Sequence, residues 1–145
     1  MSNCIKYPQQ KLKIAWIQNE IDDCAVEWAK SFGEYLQQDD SRNRGTGPLT
    51  TSQIRKFFGE LKRIQADPIK YQEDIPMLKA KLAYAVGRDA SQFRGQIQYK
   101  TKLKEFYEEL ENGIDSIRKG NKDDLIRFVK IVESIVAYHK YFGGK

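Results

Sequence analysis

Five stretches of this chain place apolar residues every three or four positions, the period of an α-helix that buries one face. That pattern predicts an all-α architecture, a compact bundle of about five helices in a single domain spanning residues 1–145. In the first stretch, Leu12 to Leu36, one side carries Ile14, Ile17, Ile21, Cys24, Trp28, Phe32 and Tyr35. The other carries Glu20, Asp22, Asp23, Glu27 and Glu34, which together predict one long helix. Trp16 falls outside that stripe. From Asp40 to Pro48 turn formers, arginines and glycines run together without an apolar residue, so residues 42–48 are expected to form a flexible loop.

A second helix is expected from Thr50 or Thr51, because Thr50 and Gln53 have the spacing of a capping box. Ile54, Phe57, Phe58, Leu61 and Ile64 lie within an arc of roughly 120°, with Arg55, Lys56, Lys62 and Arg63 outside it, and Asp67 and Pro68 end the helix. Pro76 suits a first turn, so Met77 to Gly87 is read as a third helix that packs through Leu78, Leu82, Ala85 and Val86. Lys81, Tyr84 and Arg88 share another side of it. A fourth helix is expected from Gln92 or Gln96 to Leu110, with Gly113 a candidate break beyond it. The last begins after Asn121, carries Asp123 and Asp124 where the helix dipole favours anions, and ends at Gly143 and Gly144. Its apolar arc, from Leu125 to Phe142, spans roughly 160° and puts it centrally in the bundle.

Composition narrows the class. With 40% hydrophobic and 31% charged residues and only 4 Pro, the chain is neither disordered nor fibrous. Its apolar runs fall far short of the ~20 residues that span a bilayer, and Met1 to Lys6 lacks the apolar core of a signal peptide. A cytoplasmic protein with no membrane association is expected. In that compartment Cys4 and Cys24 read as two free thiols, one terminal and one packed.

Positive charge is concentrated in the middle. Residues 42–104 carry 14 Lys+Arg against 5 Asp+Glu, while the segments on either side are slightly acidic. Such a local field attracts polyanions, of which nucleic acid is the commonest for a soluble protein. A solvated, lysine-rich helix surface has the same composition, and Tyr84 taken by itself reads first as a half-buried packing tyrosine.

Little in the sequence points to catalysis. HExxH, a Walker loop, GxSxG and GxGxxG are all missing, and no cofactor or metal is implied. The sole histidine, His139, lies within the apolar arc of its helix, where packing against a carbonyl or carboxylate is favoured over chemistry. Glu105, Glu108, Glu109 and Glu111 follow a run of lysines and are expected on a solvated face rather than around a metal. A non-enzymatic protein is expected.

Three segments carry a resemblance: residues 49–58 (LTTSQIRKFF), 78–88 (LKAKLAYAVGR) and 128–144 (FVKIVESIVAYHKYFGG). In order and spacing they resemble the small, all-helical subunit of the type III-A CRISPR effector, the Csm complex. The resemblance covers roughly residues 49–145, and the Glu-(x)3-Ala-Tyr ending with its glycines is its most specific part. It implies a non-catalytic RNA-binding subunit in antiviral defence, present in several copies that stack along guide RNA and target RNA beside the backbone subunits. It carries over Arg55, Lys56, Lys79, Lys81 and Arg88 as RNA contacts, to which helical geometry adds Lys62, Arg63, Tyr84 and Arg94. Glu133, Tyr138 and His139 are expected to hold the bundle together. A helical self-associating adaptor, with Trp16 as interface anchor and the basic face meeting an acidic protein, is the alternative.

Overall fold

The structure, a computed structural model, describes residues 3–43 and 45–145. Six helices make up most of it: α1 Ile14–Gln18, α2 Asp23–Gln37, α3 Thr51–Ala66, α4 Asp74–Asp89, α5 Leu103–Asp115 and α6 Lys122–Tyr141. Between α4 and α5 stands one antiparallel hairpin, β1 Ala90–Phe93 and β2 Gln96–Tyr99. The mostly helical fold is the expected one. α6 is central, packing against α1, α2 and α3, while α4 lies mainly on α5. Trp28, Phe32, Leu36, Ile54, Leu61, Phe106, Phe128, Val132 and Ile135 form the middle of the core.

Local signals account for three helices directly. At α3 the Thr50 hydroxyl accepts from Gln53 N at 3.2 Å while the Gln53 side chain accepts from Thr50 N at 2.9 Å, completing the capping box. Pro76 lies in the first turn of α4, and Asn121 caps α6 by accepting from Asp124 N at 3.0 Å.

The first helix departs from expectation. Instead of one helix from Leu12 to Leu36, the chain breaks at residues 19–22, because Asp22 is extended and its carboxylate accepts from Ala25 N to start α2 afresh. The break rotates α1, so Trp16 is 2% exposed and packs on Trp28 with ring centroids 5.8 Å apart. Ile14, expected inside, is 60% exposed.

The helix expected to start at Gln92 or Gln96 does not start there; residues 90–99 form the hairpin instead. Arg94 and Gly95 have φ of 53° and 78°, two left-handed residues that make the tight turn of a hairpin, and the flanking Gln-Ile-Gln-Tyr alternates with period two. α5 therefore starts only at Leu103, and it runs through Gly113, against which the Phe128 ring packs.

Cys4 and Cys24 are not free thiols; they form a disulfide. The N-terminal segment folds back over α2, where Tyr7 N donates to Ser31 Oγ at 3.1 Å and the Tyr7 ring packs on Trp28, Phe32 and Tyr35. That docking brings Cys4 to a helix that lies 20 residues away in sequence.

The same segment covers part of the glutamate cluster, so the expectation of a solvated face fails for Glu109. This residue is 4% exposed and accepts from Leu12 N at 2.9 Å; Glu105 is half-buried and Glu108 is exposed. Burial pushes the Glu109 carboxyl above its ordinary 4.5, against the smaller pull of the Leu12 hydrogen bond and Lys11. The native protein thus holds this proton more tightly than the unfolded chain. Its contribution to stability is full below pH 4.5 and is lost as pH rises through the folded-state value. Glu109→Gln keeps an oxygen for Leu12 N and removes that loss. Its melting temperature is expected to exceed that of the parent at neutral pH, with the two curves converging in acid; parallel curves would refute the assignment.

Residues 42–48 connect α2 to α3, and Arg44 lies outside the described residues. The segment is tied at its ends. Lys102, with no exposed side-chain surface, donates to Gln38 O at 2.9 Å and Thr46 O at 3.1 Å and sits 2.9 Å from Asp40 Oδ2. Gly47 N donates to Lys100 O at 2.7 Å, and Leu49 N to Leu36 O at 2.7 Å.

Candidate nucleic-acid interface

An open groove of about 840 Å³ lies between α3, α4 and the start of α5. Its floor is apolar, formed by Phe57, Leu78, Leu82 and Leu103, because these are the inward positions of three helices that meet there. Its sides carry four cations, Lys56 from α3, Lys81 and Arg88 from α4, and Lys100 from the end of the hairpin, against two carboxylates, Glu60 and Asp89. Tyr84 stands between Lys81 and Arg88, 70% exposed, with the Arg88 guanidinium 5.9 Å from its ring centroid. It is not the half-buried packing residue that its sequence context also allowed.

The nine predicted contacts do not share one surface. Four of them, Lys56, Lys81, Tyr84 and Arg88, line this groove. Arg55 and Lys62 are exposed on the other flank of α3, roughly 100° or more around the helix axis from Lys56, and the Lys62 side runs toward Lys122 at the start of α6. Arg94 is at the hairpin tip. Arg63 and Lys79 are engaged elsewhere. Arg63 lies 3.0 Å from Glu60 Oε2 and 3.2 Å from Asp74 Oδ2, stacked on Tyr71 at 4.4 Å, and Lys79 lies 2.6 Å from Asp115 Oδ1.

The separation has a simple cause. Positions 55 and 56 are adjacent in sequence yet about 100° apart on a helix, and α4 packs beside only one of those flanks. Lys81 is itself 3.3 Å from Glu60 Oε2, and the hydrogen bond from Arg63, seconded by Lys81, holds the Glu60 carboxyl below its ordinary range. Lys56, Arg88 and Lys100 have no ion-pair partner among the described residues.

Lys100 is the groove residue that sequence reasoning missed. The expected helix over residues 92–110 placed it on a helical face, whereas the hairpin returns it to the end of α4, where Lys100 N donates to Asp89 O at 3.2 Å. The alternating strand and the Arg-Gly pair were the signals that could have found it.

His139 is 1% exposed with Nε2 2.7 Å from Leu49 O, the packing role expected of it. Tyr138 is half-buried and meets Tyr141 edge-on at 6.3 Å. Glu133, expected to help hold the bundle, is instead exposed, because it falls on the outer side of α6. No cluster of three or more His, Cys, Asp or Glu side chains suited to a metal, and no helix long and apolar enough to cross a membrane, occurs among the described residues.

The family model for type III-A Csm2 matches residues 18–145, which takes in α2 as well as the three segments that carried the resemblance. A Streptococcus thermophilus protein described as "CRISPR system Cms protein Csm2" is 29% identical over 129 residues, covering 86% of this chain and 95% of that protein. No solved structure matches. With the family matched over all but the first 17 residues, the chain belongs to the type III-A Csm2 family and is a small subunit of the Csm complex.

Proposed function

We propose that this subunit is a non-catalytic RNA clamp, several copies of which stack along the guide RNA and its target beside the backbone subunits. The observation that carries the reading is the convergence of Lys56, Lys81, Arg88 and Lys100 with exposed Tyr84 on one groove. In an RNA-guided complex base pairing supplies sequence selection, so the protein need only hold phosphate and sugar, and cations on rigid helices suffice for that. Binding is then indifferent to sequence and sensitive to salt. Neutralising about four phosphates gives a slope of log K against log[salt] of about −3.

The test compares two double variants of the purified chain by fluorescence anisotropy with an unstructured RNA across a salt series. Lys56→Glu with Arg88→Glu reverses charge in the groove and is expected to reduce affinity by about tenfold or more and to flatten the slope. Arg55→Ala with Lys62→Ala alters the opposite flank of α3 and is expected to leave the slope nearly unchanged. All four side chains are exposed, so melting temperatures should move little. Loss confined to the flank variant would move the interface away from the groove, and a salt-independent affinity would end the clamp reading. The adaptor alternative loses its anchor, since Trp16 is in the core.

A further inference from the structure

We propose that the hairpin of residues 90–99 is a stacking platform for unpaired bases of single-stranded RNA, an inference that rests on the groove reading above. Residues 90–104 carry the exposed cations Arg94, Lys100 and Lys104 beside buried Lys102, and not one Asp or Glu. The strands stand clear of the helices: Ser91 to Gln98 are all exposed, Phe93 at 57% and Ile97 at 61%. An isolated two-stranded hairpin is marginal in water, and large apolar side chains left on one call for a partner.

The register identifies the kind of partner. Phe93 pairs with Gln96 and Ile97 pairs with Gln92, so these two adjacent pairs point to opposite faces of the ribbon. The face of Phe93 otherwise carries Ser91, Gln96 and Gln98 and is no apolar patch of the sort that docks a protein, while on the other face Ile97 adjoins half-buried Tyr99 and Ala90. A base needs only one open ring at a time, with a cation near it for the neighbouring phosphate. Phe93 provides this arrangement, with the Arg94 guanidinium 5.2 Å from its ring centroid, and Tyr84 with Arg88 repeats it in the groove. Asp89 and Lys100 flank the two strands and, with Arg88, line the groove, so a strand leaving it reaches the hairpin directly. Bases inside a duplex are already stacked on each other and offer no free face.

The experiment measures binding of the full chain to oligouridine and to a blunt RNA duplex of equal length, with Phe93→Ala and Phe93→Trp. Phe93→Ala is expected to weaken oligouridine binding about tenfold while sparing both the duplex affinity and the salt slope. Phe93→Trp is expected to retain affinity, with its exposed indole emission quenched by oligouridine. Equal loss on both RNAs, or none on oligouridine, overturns the proposal. So does a change in RNA-free molar mass by light scattering, which would make the hairpin a protein contact. A silent Phe93→Ala alongside a wild-type salt slope of about −3 defeats stacking and leaves the clamp standing, whereas a wild type that binds neither RNA defeats both.

Discussion

Asp124→Ala is expected to lower the free energy of unfolding at neutral pH by about 3 kcal/mol, because it removes one carboxylate that joins three parts of the molecule. The Asp124 side chain is wholly buried and accepts from Arg118 N at 2.9 Å, from Arg118 Nε and a terminal nitrogen at 2.8 Å each, and from Arg127 at 3.1 Å. Those guanidinium groups also donate to Ile17 O and Gln18 O, so the carboxylate links α6 and the α5–α6 turn to the end of α1. Half of the Arg118 side chain remains in water, which keeps the expected loss at the lower end of that for a broken buried pair.

The hydrogen bond from Arg118, with the others around it, lowers the Asp124 carboxyl from its ordinary 3.8 to about 2. A depressed folded-state value means that this stabilisation is present above pH 3.8 and fades as pH falls toward 2. Asp124→Asn should therefore lack that acid limb while keeping the shape of the site. Urea unfolding at neutral and acid pH measures both effects. A loss below about 1 kcal/mol for the alanine variant would mean that the network is dispensable.

The second large effect is expected at Gly33, where α2 crosses α6. A β-carbon there would lie 2.8 Å from His139 N, 2.9 Å from Ile135 O and 3.0 Å from Tyr138 Cβ. Two of those atoms are backbone and cannot turn aside. Gly33→Ala gains about 1 kcal/mol of helix propensity, yet separating the two helices is expected to cost more, leaving a net loss of about 2 kcal/mol, and Gly33→Val should lose more. Gly59 in α3 provides the control, since nothing lies within 4 Å of the site a β-carbon would take. Gly59→Ala is expected to stabilise by roughly 0.5–1 kcal/mol, so the same substitution changes sign between two helices of one protein. Thermal melts decide it: two alanine variants shifting in the same direction would show that the α2–α6 approach is not limiting.

Where the causes are local, the sequence was sufficient. α3 begins just after Thr50 because its capping partner is three residues away, α6 begins just after Asn121, and the apolar arc of α6 contains His139. The hairpin was equally local, with its left-handed Arg94-Gly95 turn, but the helical period found further along in α5 was extended backward over it. The break at Asp22 was hidden in a similar way, since Glu20, Asp22 and Asp23 read as the polar face of a continuing helix as readily as an end and a cap.

Helical periodicity by itself determined that this chain is a mostly helical protein with a central last helix, and three short segments determined its family. Only the tertiary structure decided that Trp16 is core, that Cys4 meets Cys24, that Lys102 is buried, and that Lys56 joins Arg88 and Lys100 while Arg55 does not. The physical reason is common to all four. A segment taken alone gives no preference among its sides, and which side chain acquires a neighbour depends on the crossing of elements far apart in the chain.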